Sequence, residues 1–429
     1  MKKFLYFQPE YVSRFKCDGA NCLNNCCKRN WRIDIDTATY KKYSRIKPKD
    51  KAKEITSHFE FNSERNAYVV KLKQNFEVTE MADGQKMFSI NLDDNNLSCP
   101  FLTEKKLCRL QLEHSEDFLS QTCATYPRRT FSFGKFFERS LTLTCPVAAE
   151  MILFAQEPLK FELVEVPDTI HSKHGRIKIT KIFVSESDAD FIREAQITMI
   201  SILQERRFTL DQRLIVLGLF LDRLQELISD TEDKELEMSL IEAYRSEDFL
   251  LTEMPPLFQN FSFDANRFVT FMIKFIGHSL ESLRTKEGEK FIVALEKVLG
   301  IKPDENDFVS LIELAANFEK LTDARKNFSE KYSTFLENYL VNELFYGLYP
   351  WRFREHNITK NFAVFLISYK ILELMTFAAT ESGLDSKEDL LALIDWFMGR
   401  TDHNPKLYER FFELLAGVDD AYLLMATLL

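Results

Sequence analysis

The chain has 429 residues, of which 45% are hydrophobic and 13% aromatic, and it carries a net charge of −10. That composition suits a globular protein whose apolar surface fills two or three domains, and it excludes a disordered or fibrous chain. The negative balance argues against a general nucleic-acid binder, and neither residues 214–221 nor the stretch near Phe362, broken by Lys370 and Glu373, reads as a bilayer span.

Residues 1–10 break their apolar run after four positions and offer no small-residue cleavage site. The expectation is therefore a cytoplasmic chain with reduced thiols. Fourteen Lys and Arg side chains crowd the first 60 residues and outnumber the carboxylates there; they read as a solvated surface, or as charge that offsets thiolates. Residues 68–73 and 87–92 alternate like strands, residues 93–96 mark a turn, and residues 131–137 read as a hairpin around Gly134. Pro146 suits the first position of a helix starting near Val147, and the polar stretch 164–187 reads as a linker. Thr209 and Gln212 form a capping box that opens a helix through Ile228. Apolar residues at helical spacing begin at Asp190 and recur near 264–282, 286–299, 306–320, 328–345, 360–380, 386–398 and 405–415. The expected architecture is mainly α. An irregular Cys-rich α+β domain with a metal or cluster site covers residues 1–160, a linker covers 161–187, and an all-α domain covers 188–429.

All eight cysteines, Cys17, Cys22, Cys26, Cys27, Cys99, Cys108, Cys123 and Cys145, lie in the first third of the chain. Random placement would give that about once in several thousand chains. Structural thiols would scatter through the whole core, and disulfides need export, so metal or cluster ligation is expected. Four thiolates suffice for a tetrahedral zinc or a four-iron cluster, so eight allow two sites, or one site with supporting thiols. The paired Cys-x-x-Cys knuckles of zinc ribbons are absent, and the neighbours Cys26 and Cys27 project differently. That tilts the reading toward an iron–sulfur cluster, with zinc as the alternative. Arg29 stands where a radical-type cluster would need its third cysteine.

No two glycines lie within ten residues of one another, which excludes the glycine-rich turn of dinucleotide-type folds and the Walker phosphate loop. The histidines form no paired ligand motif; His171 and His174 read as surface residues, and His114 is a candidate partner for a ligand cysteine. Arg128 and Arg129 directly follow Cys123 and a Tyr126-Pro127 turn. They read either as a bidentate clamp for the carboxylate of a sulfonium cofactor, or as donors to cluster sulfur and backbone carbonyls.

Tyr11-Val12, Phe15-Lys16-Cys17, Cys22, Cys26-Cys27, residues 31–36, Tyr40, residues 99–102, Cys108, Cys123 with Tyr126-Pro127-Arg128, and Cys145-Pro146 together resemble the bacterial flagellin lysine-N-methylase family over about the first 150 residues. The Cys pair and the Cys-Pro-Phe-Leu element are shared with a Cys-rich zinc- or iron-chelating domain family. Trp31, the run 34–36 and the long helical half with Tyr349-Pro350-Trp351 favour the methylase; Asn30 replaces an expected glycine. The resemblance implies an S-adenosylmethionine-dependent enzyme that methylates lysine ε-amines of flagellin, with the cysteines as iron–sulfur ligands of 4Fe-4S type. Arg128 and Arg129 are then the cofactor-binding candidates, and Tyr126 and Trp31, with Tyr40, are the aromatic candidates beside a cationic lysine. The other reading is a non-enzymatic metal-binding protein with a helical docking surface.

Overall fold

A computed structural model describes residues 3–22, 26–28, 34–35, 37–57, 59–62, 67–70, 76–80, 86–90, 99–133, 136–167, 179–181, 186–230, 233–261, 264–301, 311–319, 321–353, 357–402, 404–416 and 429. The strands are β1 (Lys3–Pro9), β2 (Asp34–Ile35), β3 (Phe59–Asn62), β4 (Ala67–Val70), β5 (Phe76–Glu80), β6 (Lys86–Ile90), β7 (Arg128–Phe133), β8 (Phe136–Leu141), β9 (Phe161–Pro167) and β10 (Ile179–Lys181). Among them run the short helices α1 (Glu10–Arg14), α2 (Thr37–Tyr43), α3 (Lys49–Ser57), α4 (Arg109–His114), α5 (Gln121–Thr125) and α6 (Pro146–Leu153).

Five strands form one sheet in the order β10-β7-β8-β1-β9. The expected hairpin is its centre: β7 and β8 pair antiparallel from Arg128↔Leu141 to Phe133↔Phe136. Strand residues alternate between faces, so Phe7, Phe131 and Phe133 enter the main core while Tyr6, Phe137 and Val166 form a small cluster on their own. Two of the strands, β9 and β10, fall within the stretch expected as linker, and β9 pairs with β1 along its whole length.

Helices fill the rest: α7 (Glu186–Leu203), α8 (Leu210–Asp230), α9 (Lys234–Arg245), α10 (Glu247–Phe258), α11 (Ala265–Leu283), α12 (Glu289–Leu299), α13 (Leu311–Glu319), α14 (Leu321–Lys331), α15 (Phe335–Tyr346), α16 (Ile358–Glu381), α17 (Lys387–Thr401) and α18 (Pro405–Leu414). The capping box forms as expected, with Thr209 N donating to Gln212 Oε1 at 2.9 Å and Gln212 N to Thr209 Oγ1 at 3.3 Å. The pattern expected as one helix over 328–345 divides into α14 and α15. At the break, Thr334 Oγ1 donates to the carbonyl of Ala155 at 2.7 Å, and Asn338 Nδ2 donates to the same oxygen at 2.8 Å. Those bonds lock the start of α15 onto the end of α6.

Every residue of α15 is buried, as befits a central helix. Long and apolar enough to cross a membrane, α16 is nevertheless a core helix, with 94% of its apolar window buried. Its two interior charges are satisfied locally: Lys370 Nζ lies 2.8 Å from Glu373 Oε2 and 3.1 Å from Asp211 Oδ1. The sheet, α1, α6 and the helices share one main core, while Ile35, Tyr43, Ile46, Ala52, Ile55, Phe101 and Leu110 make a separate small core.

Candidate functional site

All eight cysteines line one cavity of about 520 Å³, together with Tyr126, Arg128, Glu116 and Lys106. The cavity lies between the two cores. Ile35, Tyr43, Phe101 and Leu110 belong to the small core, whereas Phe15, Cys145 and Val147 belong to or pack on the main one. None of the cysteines is in a disulfide.

Local structure explains how each sulfur arrives. Gly19 at φ +55° occupies the left-handed region that glycine tolerates, turning the chain so that its amide donates to Cys17 Sγ at 3.4 Å. Cys99 N donates to the Cys27 carbonyl at 2.7 Å, which joins the turn at residues 26–28 to the segment starting at Cys99. From there a tight loop closes through Thr103 N to Leu107 O at 2.9 Å and Arg109 N to Phe101 O at 2.7 Å. The bridge Leu102↔Cys108 then sets Cys108 close beside Cys99 along the chain. Lys106, at φ 58°, takes the left-handed turn in that loop. Cys108 caps α4, Cys145 caps α6 with Pro146 following it, and Cys123 sits in the first turn of α5, where Ser120 Oγ accepts from its amide at 3.1 Å.

Three sulfurs receive the same kind of support. The backbone amides of Phe101 and Leu102 favour the Cys99 thiolate, and those of Leu110 and Gln111 and of Val147 and Ala148 act the same way on Cys108 and Cys145 without forming side-chain cap hydrogen bonds. Amides aimed at sulfur, two of these sets at helix N-termini, favour the thiolate. Burial opposes them: it raises the Cys108 thiol, takes Cys145 to about 11 and takes Cys123 to about 12. Cys123 is open to the cavity void yet densely surrounded by protein. Cys99 is lowered, because the Cys27 side chain hydrogen-bonds to it. Several thiols gathered on one cavity, most of them part-buried, are what soft cations and iron–sulfur groups require, so this donor set fits such a group. Among the described residues, no three His, Cys, Asp or Glu side chains converge closely enough to hold a single metal ion as they stand.

The two arginines part company. Arg128 lines the cavity with its guanidinium 5.0 Å from the centre of the Phe15 ring, and burial lowers its pKa. Its guanidinium makes no hydrogen bond or ion pair among the described residues. Arg129, one position on along β7, points to the other side of the strand, where it lies 4.7 Å over Phe131 and 4.9 Å over Tyr346 and donates to the Tyr346 carbonyl at 3.4 Å. Adjacent strand residues cannot clamp one carboxylate, so the expected pair reduces to Arg128. Tyr126 lines the cavity, its hydroxyl 3.3 Å from Thr144 Oγ1. Tyr40 packs against the small core and is not part of the lining. His114, also outside the lining, packs tilted against Phe118 with ring centres 5.0 Å apart, and its buried Nε2 has no hydrogen-bond partner among the described residues. Trp31, His171 and His174 lie outside the described residues.

Sequence reasoning missed the amides, the Ser120 cap and the cavity residues Glu116 and Lys106. The cap alone had a visible signal, a serine ahead of a short helix.

Residues 196–426 match the family described as the FliB lysine N-methylase C-terminal domain. The chain is similar to the lysine-N-methylases of Salmonella typhimurium and Salmonella choleraesuis, 31% identical to each over 153 residues, which is 36% of this chain and 33% of each relative. It is also similar to the flagellar biosynthetic protein FliU of Salmonella muenchen, at 28% identity over 153 residues, 36% of this chain and 79% of that one. The chain thus spans about a third of the length of the two lysine-N-methylases it matches. No solved structure matches.

Proposed function

Since the chain belongs to the lysine N-methylase family, we propose that it is a cytoplasmic, S-adenosylmethionine-dependent methyltransferase acting on lysine ε-amines of flagellin. In this reading the thiols of the cavity hold an iron–sulfur group. The observation that carries it is the convergence of eight thiols, an arginine without a carboxylate partner among the described residues, and a tyrosine on one cavity.

Methyl transfer from a sulfonium is an in-line displacement, so the protein has to align donor and amine, take a proton from the ammonium and keep water out. Arg128 supplies the fixed positive fork for the carboxylate end of the donor. A cavity of about 520 Å³ is of the size that encloses ligands of this class. Glu116 and the Tyr126 hydroxyl are among the oxygen groups of the lining, with Gln111, Ser120 and Thr122, that can accept hydrogen bonds from the incoming amine, and the Tyr126 ring offers a face to its charge. An iron–sulfur group, when bound, supplies a rigid anchor joining the two cores, which fixes the cavity walls. Incubating the purified protein with S-adenosylmethionine and flagellin, then weighing flagellin and its peptides, tests the proposal. Added methyl masses on lysine are the expected result. Unchanged flagellin in the presence of protein whose metal content is intact overturns it.

A further inference from the structure

Tyr126 stands at the cavity end of a chain of hydroxyls that runs inward to α15 and Asp402. Its hydroxyl lies 3.3 Å from Thr144 Oγ1, and Thr144 Oγ1 lies 2.9 Å from Thr142 Oγ1, which also accepts from the Thr144 amide at 3.2 Å. Helix α15 lies along the end of β8, where Asn342 Nδ2 donates to the Leu141 carbonyl at 3.4 Å. Tyr346 is four residues on from Asn342 and so shares its face of the helix. The Tyr346 hydroxyl hydrogen-bonds to the Thr142 side chain and donates to Asp402 Oδ2 at 2.7 Å. Arg352 Nη2 in turn donates to the Asp402 carbonyl at 3.2 Å and to its Oδ1 at 3.5 Å. Thr142, Thr144, Tyr346 and Asp402 are all buried, so water does not compete for these hydroxyls.

Each hydroxyl has a single proton to give, and a carboxylate can only accept. The Tyr346 proton is therefore spent on Asp402. Thr142 must then donate to Tyr346, Thr144 to Thr142, and Tyr126 to Thr144. With its proton committed inward, the Tyr126 oxygen can offer the cavity only a lone pair. We propose that Asp402 is a positioning residue for the cavity: acting through Tyr346, Thr142 and Thr144, it orients the Tyr126 hydroxyl to accept an N–H from an alkylamine or alkylammonium ligand. This deepens the proposed function, resting on its placement of the lysine ε-amine beside Tyr126. An oxygen held as an acceptor selects an N–H donor and turns away an anion, and the charge that sets it stays buried, four hydrogen bonds from the ligand.

The test is calorimetric titration of the full chain, reconstituted anaerobically with iron and sulfide, using n-butylammonium chloride, the four-carbon amine of a lysine side chain, as the probe. The parent binds it. In Asp402→Asn, Arg352 still needs an acceptor facing it, so the new amide nitrogen takes the Oδ2 place and donates to Tyr346. That reverses the chain and weakens binding about tenfold, the worth of a hydrogen bond to a charged group. Thr142→Val cuts the chain and loses a similar amount, and Thr142→Ser binds like the parent. Asp402→Asn adds no further loss to Thr142→Val or to Tyr126→Phe, because all three act through one chain. The proposal is overturned if the parent takes up no n-butylammonium, if Asp402→Asn binds like the parent, or if Thr142→Ser binds no better than Thr142→Val. It is equally overturned if Asp402→Asn weakens binding as much in the Tyr126→Phe background as in the parent, which is what a merely structural carboxylate gives. Where Asp402→Asn fails to fold by far-ultraviolet circular dichroism, Tyr346→Phe, which removes the link to the carboxylate, takes its place in the same comparisons. Methyl transfer is not part of the readout: chain-dependent amine binding by a protein that methylates nothing refutes only the proposed function, and methylation by a protein whose amine binding ignores Asp402 refutes only the positioning.

Discussion

Glu138 sits in the middle of β8 at 1% exposure, and the Gln196 amide donates to its Oε2 at 3.3 Å. Its Oε1 and the Oε1 of Gln196 both lack a hydrogen-bond partner. Two orphaned acceptors side by side are satisfied when Glu138 is protonated and donates to Gln196. Burial accordingly raises its pKa from 4.5 to about 8, with Gln196 and the Arg193 charge opposing. A carboxyl raised on folding binds its proton more tightly in the native state, so between pH 4.5 and 8 its contribution to stability falls as pH rises. Glu138→Gln copies the protonated shape and removes that penalty. The variant should gain about 1 kcal/mol over the parent at pH 5 and about 3 kcal/mol at pH 7. Urea denaturation of both proteins at half-unit pH steps measures the difference. A gap that does not widen with pH, or a variant less stable than the parent at pH 7, refutes the assignment of a buried, proton-holding carboxyl.

Arg128→Gln should weaken S-adenosylmethionine binding about ten- to a hundredfold by calorimetric titration, the worth of a hydrogen bond to a charged group. Arg129→Gln should leave that affinity unchanged and lower stability by about 2 kcal/mol, through loss of its two buried ring contacts. The Tyr11 hydroxyl donates to Asn342 Oδ1 in the core, joining α1 to α15; Tyr11→Phe should cost about 1–2 kcal/mol in denaturant unfolding. Glu337, at 4% side-chain exposure, lies 2.8 Å from Arg206 Nη2 and 2.7 Å from Arg213 Nη1. Glu337→Gln, which strands the buried Arg213, should cost about 3 kcal/mol, and Arg206→Gln on the half-exposed partner clearly less.

The helices most legible in the sequence were those with a periodic apolar face and a side-chain cap, such as α8 behind Thr209, or a proline at the first position, such as α6. Besides the short helices α1 to α5, two long helices went unread, α9 and α10. Their caps were present, since Asp233 accepts from Glu235 N and Leu236 N, and Ser246 accepts from Phe249 N, but Pro255 and Pro256 inside α10 argue against a helix by local rules. The strand β9 was hidden because Glu162 and Glu165 make it look like linker. Its partner β1 lies more than 150 residues away in the chain, and pairing at that distance leaves no local mark.

For the site, composition alone announced sulfur chemistry: eight cysteines in the first third and none after. The sequence also placed Arg128 and Tyr126 next to it, because chain neighbours of a ligand stay near it in any fold. Tertiary structure decided the rest: that all eight thiols face one cavity between two cores, and that Arg128 faces inward while Arg129 does not. The physical reason is that helical period and capping act within a few residues and are written locally. The grouping of thiols depends on contacts between segments such as 17–27, 99–123 and Cys145, and only the packing of separate cores fixes those contacts.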